Sequence, residues 1–113
     1  MPTARDLRKR ALELPETVEQ DHHGFPSFRV AGRIFATLPD AGHAHLMLAP
    51  AEVAEALEID PQAFEELHWG KRLAGVRVDL ARADRDALVE LLIEAWRGKA
   101  PKRLLDRFEG SSS

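Results

Sequence analysis

The sequence predicts an α+β domain, an antiparallel sheet covered on one face by helices in the order α-β-β-β-α-β-β-α. Three observations carry this. Ser27–Val30 and Arg33–Leu38 flank Ala31-Gly32 as two strands flank a hairpin turn. Gly75–Leu80 alternates apolar and polar residues with the period of a half-buried strand. Leu88, Leu91, Leu92 and Ala95 then recur at helical spacing behind Asp84, with Trp96 at the edge of the stripe.

Taken in order, Thr3 can N-cap a first helix in which Leu7, Ala11 and Leu14 form one apolar stripe. Pro15 ends it, because a residue preceding proline is pushed out of helical dihedrals. Val18–His22 reads as a short strand or an extended entry to the sheet. In the hairpin that follows, a two-residue turn sets Phe28 opposite Phe35, whereas a bulged turn shifts the register by one and puts Arg29 and Arg33 on one side. Pro39–Gly42 is a second turn, leading to a strand at His43–Leu48. Pro50 suits the first turn of a helix with Val53, Ala56 and Leu57 inward. Asp60-Pro61 breaks it, and Gln62–Leu67 is expected to add a helical turn. Leu67-His68-Trp69 is the expected hairpin partner of the Gly75 strand, with Gly70-Lys71-Arg72 at the tip. Gly98 and Pro101 close the long helix, and Lys102–Phe108 can form a last short one. The 113 residues thus suit one domain, over 1–109, with a loose tail at 110–113.

Composition narrows the chemistry. The absence of cysteine excludes disulfides, thiol nucleophiles and thiolate metal sites. Met1–Asp6 lacks the apolar core of a signal peptide, and no stretch reaches the ~20 apolar residues of a membrane span. A cytoplasmic monomer is the expectation. The net charge of −3 hides a segregation. Six of the acids (Glu52, Glu55, Glu58, Asp60, Glu65, Glu66) fall within 51–66 without a base, which leaves the rest of the chain basic. Bases gather at Arg5–Arg10 and again from Arg97 to Arg107.

No catalytic constellation stands out, and the chain is read as a non-enzyme without cofactor. His43 and His45, two apart on a strand, share a face and could hold a metal together, but the sequence places no further ligand; His22, His23, His68 or a carboxylate are candidates only. Ser27 precedes a strand and lies outside any nucleophile elbow. Gly70 and Gly75 are isolated, and Lys71 lacks the Gly-Lys-Ser/Thr context of a phosphate loop. The aromatics Phe25, Phe28, Phe35 and Trp69 read as core. What remains is cationic: Arg29 and Arg33 flank one hairpin tip, Lys71 and Arg72 sit on the other, and Arg77 lies along the following strand. Paired basic β-hairpins can straddle a duplex and contact its phosphates. Charged residues at hairpin tips and sheet edges more commonly serve solubility and block edge-to-edge pairing.

The segments Leu14-Pro15-Glu16-Thr17 and Gly24–Ala36 resemble the YjbR/MmcQ-like family of small bacterial proteins. The Leu46-Met47-Leu48 strand before Pro50-Ala51-Glu52, and the Gly75–Leu80 strand before the Asp84–Trp96 helix, extend the resemblance over about residues 14–97. The resemblance implies a curved antiparallel sheet with helices on one side, a two-layer fold of the secretion-chaperone type. It also implies a DNA-binding role through a double-wing arrangement. Phe28, Arg29, Val30, Gly32 and Phe35 match the family pattern, and Arg29 is the charged residue among them. The second hairpin departs from it, with Trp69 early and Gly75-Val76 where an aromatic is expected. The reading is a binding module for double-stranded DNA, using Arg29, Arg33, Lys71, Arg72 and Arg77. The alternative is a protein-binding module that uses the sheet face or the acidic 51–66 helix, with an enzyme built on a His-based metal site as the third reading.

Overall fold

The computed structural model of the chain describes residues 2–111. It has ten elements: α1 (Ala4–Glu13), β1 (Thr17–His22), β2 (Phe25–Val30), β3 (Arg33–Asp40), β4 (His43–Met47), α2 (Pro50–Ile59), β5 (Phe64–Trp69), β6 (Arg72–Asp79), α3 (Arg85–Lys99) and α4 (Lys102–Ser111). The α+β class is as expected. The order gains a strand, because Val18–His22 pairs fully as β1, and a closing helix, because Lys102 onward is helical. That helix runs to Ser111, into the stretch expected as a loose tail; Ser112 and Ser113 lie outside the described residues.

The local signals act as the residues dictate. Thr3 caps α1 in a capping box, accepting from Asp6 N at 3.2 Å while Asp6 Oδ2 accepts from Thr3 N at 2.9 Å. Leu14, extended before Pro15, ends it. Pro50 opens α2, where Glu52 Oε1 accepts from Ala49 N at 2.9 Å. Asp84 caps α3 through Ala87 N at 3.0 Å.

All six strands are antiparallel neighbours in one sheet, ordered β1-β2-β3-β4-β6-β5. β5 and β6 form a hairpin whose second strand docks on β4, so α2 crosses from the middle of the sheet to its edge. The segment Gln62–Leu67 is therefore not a helical turn. Phe64 pairs with Val78 and is buried, and the chain from Phe64 to Trp69 is the edge strand. The apolar spacing of Ala63, Phe64 and Leu67 has the helical period, and pairing with β6 overrides it.

Two-residue turns link the hairpins. His23-Gly24 and Ala31-Gly32 both take positive φ (53° and 92°, 51° and 78°), the pair of left-handed residues that a twisted hairpin requires. The Ala31-Gly32 turn is thus tight, with Val30 opposite Arg33, and the irregularity falls deeper: Arg29 faces Ile34 but Phe28 faces Ala36. The expected Phe28–Phe35 pair is not in register. A bulge places Phe35 between the two pairings, and both rings are still fully buried.

One sheet face carries Phe28, Val30, Ala36, Ala44, Leu46, Val76 and Val78 into a core closed by Leu7 and Ala11 of α1, Val53 and Ala56 of α2, and Leu88, Leu92 and Trp96 of α3. Trp96 is fully buried, packs at a tilt against Phe108 of α4 with ring centroids 5.1 Å apart, and donates its indole N–H to Pro15 O at 3.1 Å. Among the described residues no helix is long and apolar enough to cross a membrane.

Gly75 pairs with Met47 where β6 runs beside β4. A β-carbon there would come within 1.9 Å of Leu46 O and 3.0 Å of Leu48 N, both of them backbone atoms. Backbone in the middle of a sheet cannot step aside as a side chain tip can. Gly75→Ala should therefore cost more than about 3 kcal/mol, the upper end of ordinary overpacking. Urea unfolding of the purified variant checks this; a midpoint within error of the parent would contradict it.

Candidate polyanion-binding notch

β4 is shorter than the strands on either side. Ala36 pairs with Leu46 and Gly75 with Met47, after which Leu48 N makes one last bond to Ala74 O at 3.1 Å and the chain leaves into α2. Arg33-Ile34 of β3 and Arg72-Leu73 of β6 continue past that point with no strand between them. At the strand rise, Arg72 stands roughly 10 Å beyond Gly75. The two hairpin tips thus project as a pair over a notch of about 320 Å³ lined by Arg29, Arg33, Ile34, Met47, Trp69, Arg72, Ala74 and Lys99.

The notch concentrates uncompensated positive charge. Arg8, Arg10, Arg77, Arg82, Arg85, Arg97 and Arg103 each hold a carboxylate within 4 Å. Among the described residues Arg29, Arg33, Arg72 and Lys99 hold none. Arg29 is instead fixed by a neutral partner: its Nε donates to Ser27 Oγ at 3.2 Å, and that buried hydroxyl donates to Gln20 O at 2.8 Å. The Lys99 ammonium is held below the usual lysine range by burial first, then by the charges of Arg33 and Arg72.

The expected site residues therefore divide. Arg29, Arg33 and Arg72 come together in the notch, and Lys71 sits exposed at the apex of the second tip. Arg77 lies apart on the open face of the sheet. Its Nη1 donates to His45 Nε2 at 3.0 Å, its Nε faces Glu65 at 3.5 Å and its Nη2 faces Asp40 at 3.8 Å. Lys99 was not among the expected residues. It stands in a basic run, but only the path of α3 beneath the tips brings it there. Trp69, expected in the core, is 48% exposed on the notch wall and pairs across the hairpin with Arg72. It sits five residues past Phe64, the buried residue of β5, at the hairpin tip. Phe28 and Phe35 are core as expected; Phe25 is half-buried against His22 at 5.4 Å.

The open face carries a polar row across all six strands: Gln20, Ser27, Thr37, His45, Arg77 and Glu65, joined by pairings along the sheet. His43 and His45 share this face, but His43 Nδ1 donates to Asp40 Oδ1 at 3.0 Å while His45 accepts from Arg77. Among the described residues no group of three or more ligating side chains is placed to hold a metal ion.

The family model described as YjbR matches residues 12–98, most of the chain. The chain belongs to the YjbR family. No curated protein and no solved structure matches it. In this YjbR domain the match takes in β1 through α3 up to residue 98, and so both hairpins with Arg29, Arg33, Trp69 and Arg72.

Accepting from Arg77 requires His45 to be neutral, with its proton on Nδ1. Burial, then the Arg77 charge, hold its pKa below the usual histidine value. The unfolded chain therefore takes up a proton first, below pH ~6.5, so His45 supports the fold above that pH and loses the contribution as pH falls toward its folded pKa. The melting temperature should fall between about pH 7.5 and 5.5, and His45→Gln, which keeps an acceptor for Arg77, should flatten that slope. Parallel pH profiles of parent and variant would contradict this assignment.

Proposed function

We propose that this YjbR domain is a non-enzymatic nucleic-acid-binding module that takes duplex DNA on its two hairpin tips, through the phosphate backbone. The observation that supports this reading is the set of unneutralised cations in the notch, in a molecule that otherwise pairs most of its arginines with carboxylates. Holding like charges together costs free energy in the free protein, and a polyanion relieves that cost while releasing its condensed counterions. Arg29, Arg33, Arg72 and Lys99 contact phosphates in this reading, with Lys71 at the rim. Among the described residues no helix presents a set of side chains to base edges, so in this reading the domain binds with little sequence preference.

A second reading is favoured by a different surface. The groove between α2 and α3 exposes Ile59 at 63% beside Glu55, Glu90 and Glu94, and the Glu94 carboxyl is raised by burial and by its hydrogen bond to Glu52. An apolar patch rimmed by three acids, with Arg97 against one of them, suits a basic segment of a protein partner.

Fluorescence anisotropy of a random-sequence duplex of about 25 base pairs separates the two. Micromolar binding at low salt is expected, weakening as salt rises with a slope of ~0.9 per phosphate contact. Arg29→Ala/Arg33→Ala should reduce both affinity and slope by up to two such contacts, while Arg77→Ala should change the slope little. Absence of binding at low salt by the folded protein would remove duplex DNA as the ligand and leave the α2–α3 groove as the surface to pursue.

A further inference from the structure

Phosphate contacts account for the cations of the notch but not for its aromatic wall. Trp69 is half exposed at the tip of an edge strand, on the same concavity as Arg29, Arg33, Arg72 and Lys99. An apolar ring of that size, exposed beside a charged site, is normally covered by something when the site is filled. A fully paired duplex cannot cover it along its length. Paired bases show only their edges in the grooves, and their ring faces are taken up by stacking within the helix. An unpaired nucleotide offers both a ring face and a phosphate, separated by one sugar. The notch, at about 320 Å³, lies at the small end of the ~300–1,000 Å³ typical of small-ligand pockets, a size that suits one nucleotide. Its apolar floor, Met47 and Ala74, has no charge for a base to displace.

We infer that the notch holds one unpaired nucleotide, its phosphate against Arg33, Arg72 and Lys99 and its base stacked on Trp69, so that the domain favours single-stranded over fully paired DNA. This rests on the nucleic-acid reading above and specifies which form of DNA fills the site. Stacking of this kind tolerates any base, which accords with the absence of a base-reading helix.

The molecule carries its own reporter. Of its two tryptophans Trp96 is fully buried against Phe108 and bonded to Pro15, so a change in emission on adding ligand comes from Trp69. The test titrates the full-length protein with a labelled single strand of about 15 nucleotides and with the blunt duplex of the same sequence, reading anisotropy and tryptophan emission together. The expected result is binding of the single strand about tenfold tighter than the duplex, with quenching of Trp69. Trp69→Ala should remove the preference for the single strand, and Trp69→Phe should restore most of it. Because Trp69 lies outside the core, an unfolding midpoint close to the parent's verifies that both variants are folded. Equal binding of the two forms with unchanged emission, or a preference that survives in Trp69→Ala, would overturn the inference and leave duplex binding in place. Failure of the folded protein to bind either form would overturn both readings.

Discussion

The pairing of β4 with β6 is the constraint on which the rest of this molecule depends. It is the seam between two halves, the β1–β4 meander and the β5–β6 hairpin, which the chain brings together only after passing through α2. The two backbones meet at Leu46 and Gly75 so closely that there is no room for a side chain. That approach sets the register of β6, and with it the positions of Arg72 and Trp69. The early exit of β4 toward Pro50 then leaves a gap that no strand fills. The notch is a by-product of one strand being shorter than its neighbours, and its location follows from hydrogen-bond register alone.

Electrostatics separates the two faces of this gap from the rest of the surface. Most arginines are spent in holding the fold, as in the bidentate pair of Arg103 with Glu16 at 2.9 and 3.0 Å, which ties α4 to the turn before β1. Glu16 itself lies in a left-handed conformation, φ 52°, and its carboxyl is held below the usual range first by that hydrogen bond. On the open face Arg77 is similarly occupied with Glu65, Asp40 and His45. The contrast is informative because it is internal: the same chain shows what its arginines do when they serve structure.

Much of the fold was legible because its signals are local. Thr3, Pro15, Pro50 and Asp84 mark helix ends through groups within a few residues of themselves, and Ala31-Gly32 needs only its own dihedrals to turn the chain. The errors lie where a distant partner decides. Gln62–Leu67 has a spacing compatible with a helix and becomes a strand because β6 is beside it; Phe28 misses Phe35 because a bulge intervenes. The site behaves likewise. Arg29, Arg33 and Arg72 could be picked out because hairpin tips are local features. Lys99 could not, since its place depends on how far α3 runs beneath the sheet, and Trp69 was assigned by residue type to a core that its strand leaves behind.

The sheet is open, so β1 and β5 each end it with an unpaired side. Such edges invite a second copy to continue the ladder. Here both carry acids along their length, Glu19 and Asp21 on one and Glu65 and Glu66 on the other, and all four are exposed. Edge-to-edge stacking of two molecules would bring like charges within a few ångströms, the spacing of paired strands being ~4.8 Å. The protection is electrostatic and lies on exposed side chains, so it weakens as salt screens those charges. Colloidal stability of this domain is therefore tied to ionic strength at its rims, while the register of β4 and β6 that shapes its centre is fixed by packing.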